Sequence, residues 1–569
     1  MEKLQVSNFK ASLQHFSWID YWVFVLLLSV CGGIGIYFGF IQKQSTPQEY
    51  LMGGRKMKLL PVCFSLVASF ISGISLLGIP TELYVFGTSY FFTIIGTLMM
   101  SIIISNTFLP VLFDLKLTSA YEYLQLRFDK RIRVLGSILF TTYLLAWLPI
   151  VIYVPALAFN QVTGVNIHIV SPVVCLVCIF YTSVGGLKAV VWTDVIQTIV
   201  MIGAMILVIV RGTMIVGGFG NVVQRNWNTK RIEFPPSNFD LTERHSIYAV
   251  TIGATFHWIG NIAVNQSMMQ RFLALSDLNS SKKAVWGFFF GVLLIMLLCG
   301  YSGMLAYARY YDCDPLDSKL ALAKDQLLPL LVMDVLGDLE GMPGVFVAGV
   351  FSAALSSLST GLNSMAAVVL EDFCKPFFKE LTQRQTQILV QSVVVIFGCV
   401  CVGLVFVVEM LGPVLQLAMT LCSASMGPLT GIFLMGLFLP FIDGTSALFG
   451  GLVGIASAGW IAAQSQLAQA HSLLVFKEKQ RFTYNCTYEF EPAWNLTKTN
   501  GDVPYIYSLS HLWLTALGCT VTIIVGSLLS LRERTVYEKD EKLFSPVLRK
   551  WITNKRCVPD LYMTNINKV

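Results

Sequence analysis

The chain has 569 residues, of which 55% are hydrophobic and 13% are charged, with a formal net charge of +6. Soluble domains carry about 25% charged residues, and a helix crosses a bilayer with about 20 consecutive apolar residues. Such runs recur from end to end, and the basic residues are confined to loops and the tail. The composition therefore excludes an ordinary soluble protein, gives no indication of nucleic-acid binding, and predicts an all-α polytopic membrane protein.

Thirteen membrane spans are predicted within a transmembrane domain of residues 20–530. Lys and Arg stay in short cytoplasmic loops; the loop after the first span is rich in them, whereas "LYVFGTS" and "QVTGVNI", after the second and fourth spans, have none. The pattern predicts an extracellular N-terminus (1–19) and a cytoplasmic tail (531–569). The predicted spans are 20–41, 57–82, 88–113, 134–160, 168–185, 189–211, 247–270, 284–308, 342–370, 385–410, 412–440, 444–466 and 508–530.

The loop of residues 467–507 is predicted to be extracellular by the same rule. It contains two N-x-[ST] sequences, "NCT" at Asn485 and "NLT" at Asn495. Such sequences accept glycans in extracellular loops, so both asparagines are predicted to be glycosylated. Cys313 and Cys486 both fall in predicted loops, where they could form a disulfide or remain free thiols.

Three of the predicted spans are interrupted by polar and small residues. They contain "SFISGISLLGIPTE" in span two, "TIGATFHWIGNIAVNQSMMQR" in span seven and "FVAGVFSAALSSLSTGLNS" in span nine. For any one such span taken alone, close helix packing is the better explanation. An interrupted helix at membrane depth is tolerated where it lines a protein cavity, and paired interruptions in two halves of a chain are typical of inverted repeats around a central site. The three together favour a binding cavity.

Residue spacing in the ninth span suggests an ion site. Ala353 precedes Ser356 and Ser357 by three and four residues, so the three share one helix face. Unwound backbone from Ala68 to Ile71 could add further carbonyl oxygens. Uncharged oxygen ligands suit a hard monovalent cation, because a divalent ion favours carboxylates.

"YTSVGGLKAVVWTDVIQ" (181–197) resembles the signature of the sodium/solute symporter family. "VASFISGISLLGIPTELYVFG", "NQSMMQR" and "ALSSLSTGLNS" match that family in order and spacing, over about residues 20–530. "LGIPTELYVFG" and "IVIYVPALAFNQVTG" look like the branch of iodide, monocarboxylate and multivitamin symporters. The resemblance implies a LeuT-type core of two inverted five-helix repeats, about 57–211 and 247–440.

The resemblance also implies roles for individual residues. Asp194 would take part in sodium coupling; the sequence alone allows an acid at the membrane edge paired with Lys188 equally well. Glu82 is expected to be structural. The implied sodium ligands are the carbonyl oxygens of Ala68, Ile71 and Ala353 and the hydroxyls of Ser356 and Ser357.

The sequence therefore predicts a plasma-membrane symporter, not an enzyme, that couples sodium entry to import of a small organic anion. The expected substrate is a short monocarboxylate or a carboxylate vitamin such as biotin or pantothenate. Ser75 stands where iodide transporters have Gln, and Trp147 begins a Trp-Leu-Pro stretch where the family usually has Tyr-Thr-Gly. The alternatives are a non-concentrating sodium-dependent sensor or channel on the same fold, or a symporter for another solute such as iodide. The predicted substrate-binding residues are Ser69, Ser72, Ser75 and Trp147.

Overall fold

Helices account for nearly all the regular structure of the described residues, which contain no β-strand beyond two isolated bridges. The computed structural model describes residues 5–6, 16–42, 44, 46–376, 381–410, 412–490, 503–531 and 540–549. The helices of the first half are α1 (Trp18–Ile36), α2 (Pro47–Met52), α3 (Leu59–Phe70), α4 (Gly73–Phe86), α5 (Thr93–Ile103), α6 (Leu109–Asp114), α7 (Glu122–Arg127), α8 (Lys130–Thr163), α9 (Ile167–Val216) and α10 (Phe219–Asn228).

The second half begins with two short helices and continues with long ones. Its helices are α11 (Ala254–Ile262), α12 (Gln266–Leu273), α13 (Leu278–Arg309), α14 (Leu327–Leu336), α15 (Met342–Val368), α16 (Gln383–Met410), α17 (Gly412–Phe438), α18 (Gly444–Ala470) and α19 (Trp513–Ser530). Helix α15 lies at the centre, because nearly all of its residues are buried and it packs against α1, α3, α8 and α9.

The second predicted span is broken between α3 and α4, whose axes differ by 63°. Ile71 has extended backbone (φ −76°, ψ 102°), and Ser72 begins α4 as its N-cap, with Oγ accepting from the Ser75 N–H at 3.4 Å. A side chain at Gly73 would place its Cβ 2.4 Å from Pro155 of α8, so only glycine lets α4 start here. The non-helical segment is Ile71–Ser72, so the prediction of unwound backbone from Ala68 to Ile71 is wrong for residues 68–70, which are helical.

The seventh predicted span is also broken, at residues 263–265 between α11 and α12. The Asn265 side chain caps α12 by accepting from the Ser267 N–H at 2.9 Å. A third interruption falls at Gly186, whose left-handed backbone (φ 56°) separates the predicted fifth and sixth spans inside the 50-residue α9.

The predicted interruption of the ninth span is wrong. Helix α15 runs without a break from Met342 to Val368 and continues as a π-helical turn to Cys374. Its serines are accommodated inside the helix, since Ser359 donates to the Ser356 carbonyl at 3.1 Å and Ser364 donates to the Thr360 carbonyl at 2.8 Å. Serine hydroxyls bonded in this way need no unwound backbone.

Nine helices of the described chain are long and apolar enough to cross a membrane, and the bent α3–α4 pair would be a tenth. All thirteen predicted spans coincide with helices. The count is lower because α9 contains two spans, the seventh span is split, and only the Ala424–Phe438 part of α17 enters the count. The prediction of an all-α polytopic membrane protein is confirmed.

Candidate ion and substrate site

The end of α3 meets the middle of α15 through a set of hydroxyl groups. Ser69 Oγ lies 2.7 Å from Thr360 Oγ1 and 3.4 Å from Ser356 Oγ. Ser357 donates to the Ser69 carbonyl oxygen at 3.3 Å. The structure therefore brings both predicted serine ligands next to the first break.

Two carbonyl oxygens at this break remain available. Ile71 and Ser72 leave the helical path, and no hydrogen bond from the described chain reaches the carbonyl oxygens of Ala68 or Ile71. Such groups are costly to bury without a partner, and an ion that they coordinate would remove that cost. The residues of the predicted ligand set are at most 7% exposed: Ala68, Ile71, Ala353, Ser356 and Ser357.

Asp194 of α9 lies close to this cluster and is completely buried. Its Oδ2 accepts from Ser65 Oγ at 2.5 Å and from the Arg271 guanidinium at 3.2 Å, and Ser69 Oγ lies 3.4 Å away. The ion pair is therefore with Arg271 of α12 and not with Lys188. Asp194 Oδ1 has no hydrogen-bond partner among the described residues, which leaves one carboxylate oxygen beside the predicted ion site.

Arg271 is the functional candidate that the sequence analysis missed. The side chain is 1% exposed and links three elements: Nε donates to Ser65 Oγ at 2.6 Å, Nη1 donates to the Ser267 carbonyl at 2.8 Å, and Nη2 donates to Thr360. The signal was weak, because Arg271 directly follows the span predicted at 247–270, where a basic residue is equally expected in a cytoplasmic loop.

A cavity of about 590 Å³ begins at this cluster and reaches the exposed residue Gln469. Its inner end includes Ser69, Ile71 and Ser357. Its wall includes the predicted substrate residues Ser75 and Trp147. Ser72, the fourth residue predicted for substrate binding, is 1% exposed and does not line the cavity. Its hydroxyl caps α4 instead.

The charged side chains among the described residues that line the cavity are Glu82 and Arg244, and they pair with each other. Arg244 Nε lies 2.6 Å from Glu82 Oε1 and its Nη2 lies 3.1 Å from Oε2, while His245 Nε2 is 3.1 Å from Oε1. This bidentate pair lies at the mouth and agrees with the structural role expected for Glu82. The described inner wall therefore offers neutral groups to a ligand.

The loop that follows α18 contributes Phe476 to the lining of the cavity. Cys313 and Cys486 form a disulfide (Cα–Cα 5.0 Å), which settles the alternative left open by the sequence. Lys479 is also paired with Glu233 at 2.5 Å. Asn485 is exposed; the other predicted glycosylation site, Asn495, lies outside the described residues.

Two broken helices that meet a buried polar cluster at the base of a cavity define a secondary transporter. The model of the sodium:solute symporter family matches residues 50–454. The chain therefore belongs to this family of sodium-coupled transporters, and the resemblance seen in the sequence is confirmed.

Individual relatives agree with this assignment. The mouse sodium-coupled monocarboxylate transporter 2 is 36% identical over 565 residues, covering 97% of this chain and 88% of that protein. The human sodium/iodide cotransporter is 35% identical over 532 residues, covering 90% of this chain and 83% of that protein. The solved structure of a Na⁺-coupled sialic acid symporter superposes with a TM-score of 0.75 at 23% identity, covering 92% of this chain and all of that one. The last comparison shows the LeuT-type fold.

Proposed function

We propose that this chain is a plasma-membrane symporter that imports a small organic monocarboxylate together with sodium. The observation that carries the proposal is the cavity. Its volume is about 590 Å³, and its described inner wall has no unpaired charged side chain. A single negative charge can be balanced by a co-transported cation. A second charge on a dicarboxylate would be buried without a partner, at a cost of several kcal/mol.

The size and lining of the cavity favour an organic anion over iodide. A volume of about 590 Å³ is far larger than one atomic ion needs, and aromatic side chains such as Trp147 and Trp258 line it. Sequence identity does not distinguish the two substrate classes, because a monocarboxylate transporter and an iodide transporter are almost equally similar to this chain. A short monocarboxylate or a carboxylate vitamin such as biotin or pantothenate fits these features.

In the proposed site, the carbonyl oxygens of Ala68, Ile71 and Ala353 and the hydroxyls of Ser356 and Ser357 hold sodium, and Asp194 contributes to coupling. Neutral oxygens replace the hydration shell, and the negative charge of the substrate balances the cation. The substrate carboxylate lies near the N-terminus of α4, whose unpaired N–H groups favour an anion. Ser69 and Ser75 line this end of the cavity.

Sodium coupling solves an energetic problem for such a substrate. An anion enters a cell against the membrane potential. Each net positive charge that enters releases about 2.3 kcal/mol per 100 mV, and a tenfold sodium gradient adds about 1.4 kcal/mol per ion. Two sodium ions give the complex with a monovalent anion a net charge of +1, so the membrane potential then favours its entry.

The proposed orientation places the N-terminus outside and the tail from residue 531 inside. The loop of residues 467–507 then lies outside, where Asn485 and Asn495 carry glycans. In that orientation, the cavity opens to the extracellular side, because Gln469 and Phe476, which line it, belong to this segment.

The test is a sodium-dependent uptake panel in cells that express the chain. Lactate, pyruvate, nicotinate, biotin, pantothenate and iodide are compared with sodium and with choline outside. We expect sodium-dependent uptake of at least one carboxylate and little uptake of iodide. Uptake of iodide alone, or an anion current without accumulation, would contradict the proposal.

A further inference from the structure

One wall of the cavity carries three polar side chains that neither the ion site nor the first break uses. They are Tyr143 on α8 and His257 and Asn261 on α11, and all three line the cavity. The Tyr143 hydroxyl lies 3.4 Å from Asn261 Oδ1, and Asn261 Nδ2 lies 3.4 Å from His257 Nε2. Asn261 Nδ2 also donates to the His257 carbonyl at 2.9 Å. We call these three side chains the polar wall.

The polar wall has unused hydrogen-bonding capacity. Asn261 Oδ1 has two lone pairs and one partner, and the Tyr143 hydroxyl oxygen can also accept. A neutral imidazole that accepts from Asn261 at Nε2 carries its proton on Nδ1 and can donate from there. The three side chains thus offer donors and acceptors side by side, without a formal charge.

Such a mixture is poorly suited to a carboxylate, because the acceptor oxygens of Asn261 and Tyr143 would repel it. It suits an uncharged polar substituent: a hydroxyl can both donate and accept, and a keto oxygen or a ring nitrogen can accept from His257 Nδ1. A site that hydrogen-bonds a polar substituent also discriminates strongly against the analogue that lacks it, since the site's own groups are then left unpaired.

An aromatic contact connects the polar wall to the first break. Phe70, which follows Ser69, stacks on Trp258, which follows His257, with ring centroids 4.5 Å apart and planes tilted by 28°. The surface between the two polar regions is therefore apolar. A ligand with its carboxylate at the break would lay an apolar body across these rings and bring its far end to the polar wall.

We propose that Tyr143, His257 and Asn261 recognise an uncharged polar group on the tail of the transported anion. The inference rests on the proposed function and narrows it: the preferred substrates are monocarboxylates with a hydroxyl, keto or ring-nitrogen substituent, and plain alkyl or aryl carboxylates are poorer. The three residues determine specificity, while the charge of the substrate is handled at the other end of the cavity.

The experiment uses pairs of anions that differ in one polar group. 4-Hydroxybutyrate is compared with butyrate, and nicotinate with benzoate, by sodium-dependent uptake in cells that express the full chain. For each pair, the ratio of half-saturating concentrations is measured, and this ratio does not depend on the amount of protein at the surface. We expect the wild type to favour 4-hydroxybutyrate and nicotinate by about tenfold or more. The ratio should fall towards one in His257→Leu and Asn261→Leu.

Two further variants separate specificity from folding. Tyr143→Phe removes one hydroxyl from the polar wall and should lower the ratio partially, even if the leucine variants do not reach the surface. Thr255→Val is the matched control, because Thr255 lies on the same helix, bonds to the Thr251 carbonyl at 2.7 Å and does not line the cavity. It should keep the wild-type ratio.

The outcomes distinguish this inference from the proposed function. If the wild type takes up carboxylates but does not discriminate within either pair, the inference is wrong and the proposed function stands. The same holds if Tyr143→Phe and every leucine variant that reaches the surface keep the wild-type ratio. If the wild type takes up no carboxylate in the presence of sodium, the proposed function fails and the inference fails with it.

Discussion

The two broken helices of this chain use their breaks in different ways. At the first break, between α3 and α4, the carbonyl oxygens of Ala68 and Ile71 have no hydrogen-bond partner in the described chain. At the second, between α11 and α12, the Val264 carbonyl accepts from the Tyr121 hydroxyl at 3.1 Å, and the Asn265 side chain caps the next helix. The first break leaves backbone carbonyl oxygens without a partner among the described residues, whereas the backbone of the second is bonded to its neighbours.

The second break also positions the charged side chain of Arg271 beside Asp194. Helix α12 starts there and brings Arg271 to Asp194, while Gln266 bonds to the backbone of Thr118 and Ala120. In the proposed mechanism, the first break therefore forms the ion site, and the second anchors the helix whose arginine pairs with the acid beside that site. The difference shows that similar polar interruptions in a sequence can have opposite purposes: one leaves backbone groups free, and the other satisfies them.

The largest expected effect comes from removing the ion pair between Arg271 and Asp194. Arg271→Ala leaves Asp194 as a buried charge without its partner, which costs about 3–5 kcal/mol. We expect a much lower Tm of the purified protein in detergent. Replacing Asp194 by Asn in the same chain should recover part of the loss.

The control for this comparison is Arg309→Ala. Arg309 pairs with Asp334 at 2.7 Å, but its side chain is 40% exposed, and exposed pairs contribute about 0–1 kcal/mol. Equal Tm values for the Arg271 and Arg309 variants would show that the second break is not held by its ion pair.

The next effect concerns the ion at the first break. Ser356→Ala combined with Ser357→Ala removes two of the proposed neutral ligands and leaves a partly desolvated cation, at a cost of a few kcal/mol. The half-saturating sodium concentration for uptake should rise at least tenfold at normal surface expression. Ser359→Ala is the matched control, since its hydroxyl bonds within α15. An unchanged sodium dependence in the double variant would place the ion elsewhere.

A smaller effect is expected on the substrate side of the first break. Ser75→Gln adds bulk and an amide at the cavity wall, which should weaken organic carboxylates and shift selectivity towards a small inorganic anion such as iodide. Competition by iodide against labelled carboxylate measures the shift. Ser75→Ala separates the lost hydroxyl from the added bulk. If both variants retain the wild-type ranking, the start of α4 does not contact the substrate.

The smallest effect on transport is expected for the glycan sites, which fix the side to which the first break opens. Asn485→Gln together with Asn495→Gln should remove a glycosidase-sensitive mass shift on a gel and leave sodium-dependent uptake close to normal. An unchanged mobility would count against an extracellular position of this loop and therefore against the proposed outward-facing cavity.

The sequence was sufficient for the helical class, the positions of the spans and the first break. Apolar runs set the spans, and serine, glycine and proline in one stretch marked the interruption. The ninth span shows the limit of this argument, since its serines bond to their own helix and leave α15 continuous. Composition alone cannot tell a serine that satisfies itself from one that needs unwound backbone.

The site was only partly predictable because it depends on contacts between distant segments. The spacing of Ala353, Ser356 and Ser357 indicated a shared face, but not that Ser69 would lie against it. The partner of Asp194 is 77 residues away, so proximity in sequence suggested Lys188 instead. Ser72 looked like a ligand-binding serine, although capping α4 already occupies its hydroxyl.

Sodium-driven accumulation of a carboxylate is the central claim, and proteoliposomes that contain the purified chain test it most directly. A labelled monocarboxylate from the uptake panel is supplied outside at equal total salt, with an inward sodium gradient or with sodium equal on both sides. We expect the label to rise above its equilibrium level only with the gradient, and to leave again when a sodium ionophore is added. Entry that stops at equilibrium under both conditions would identify a channel or facilitator and contradict sodium symport.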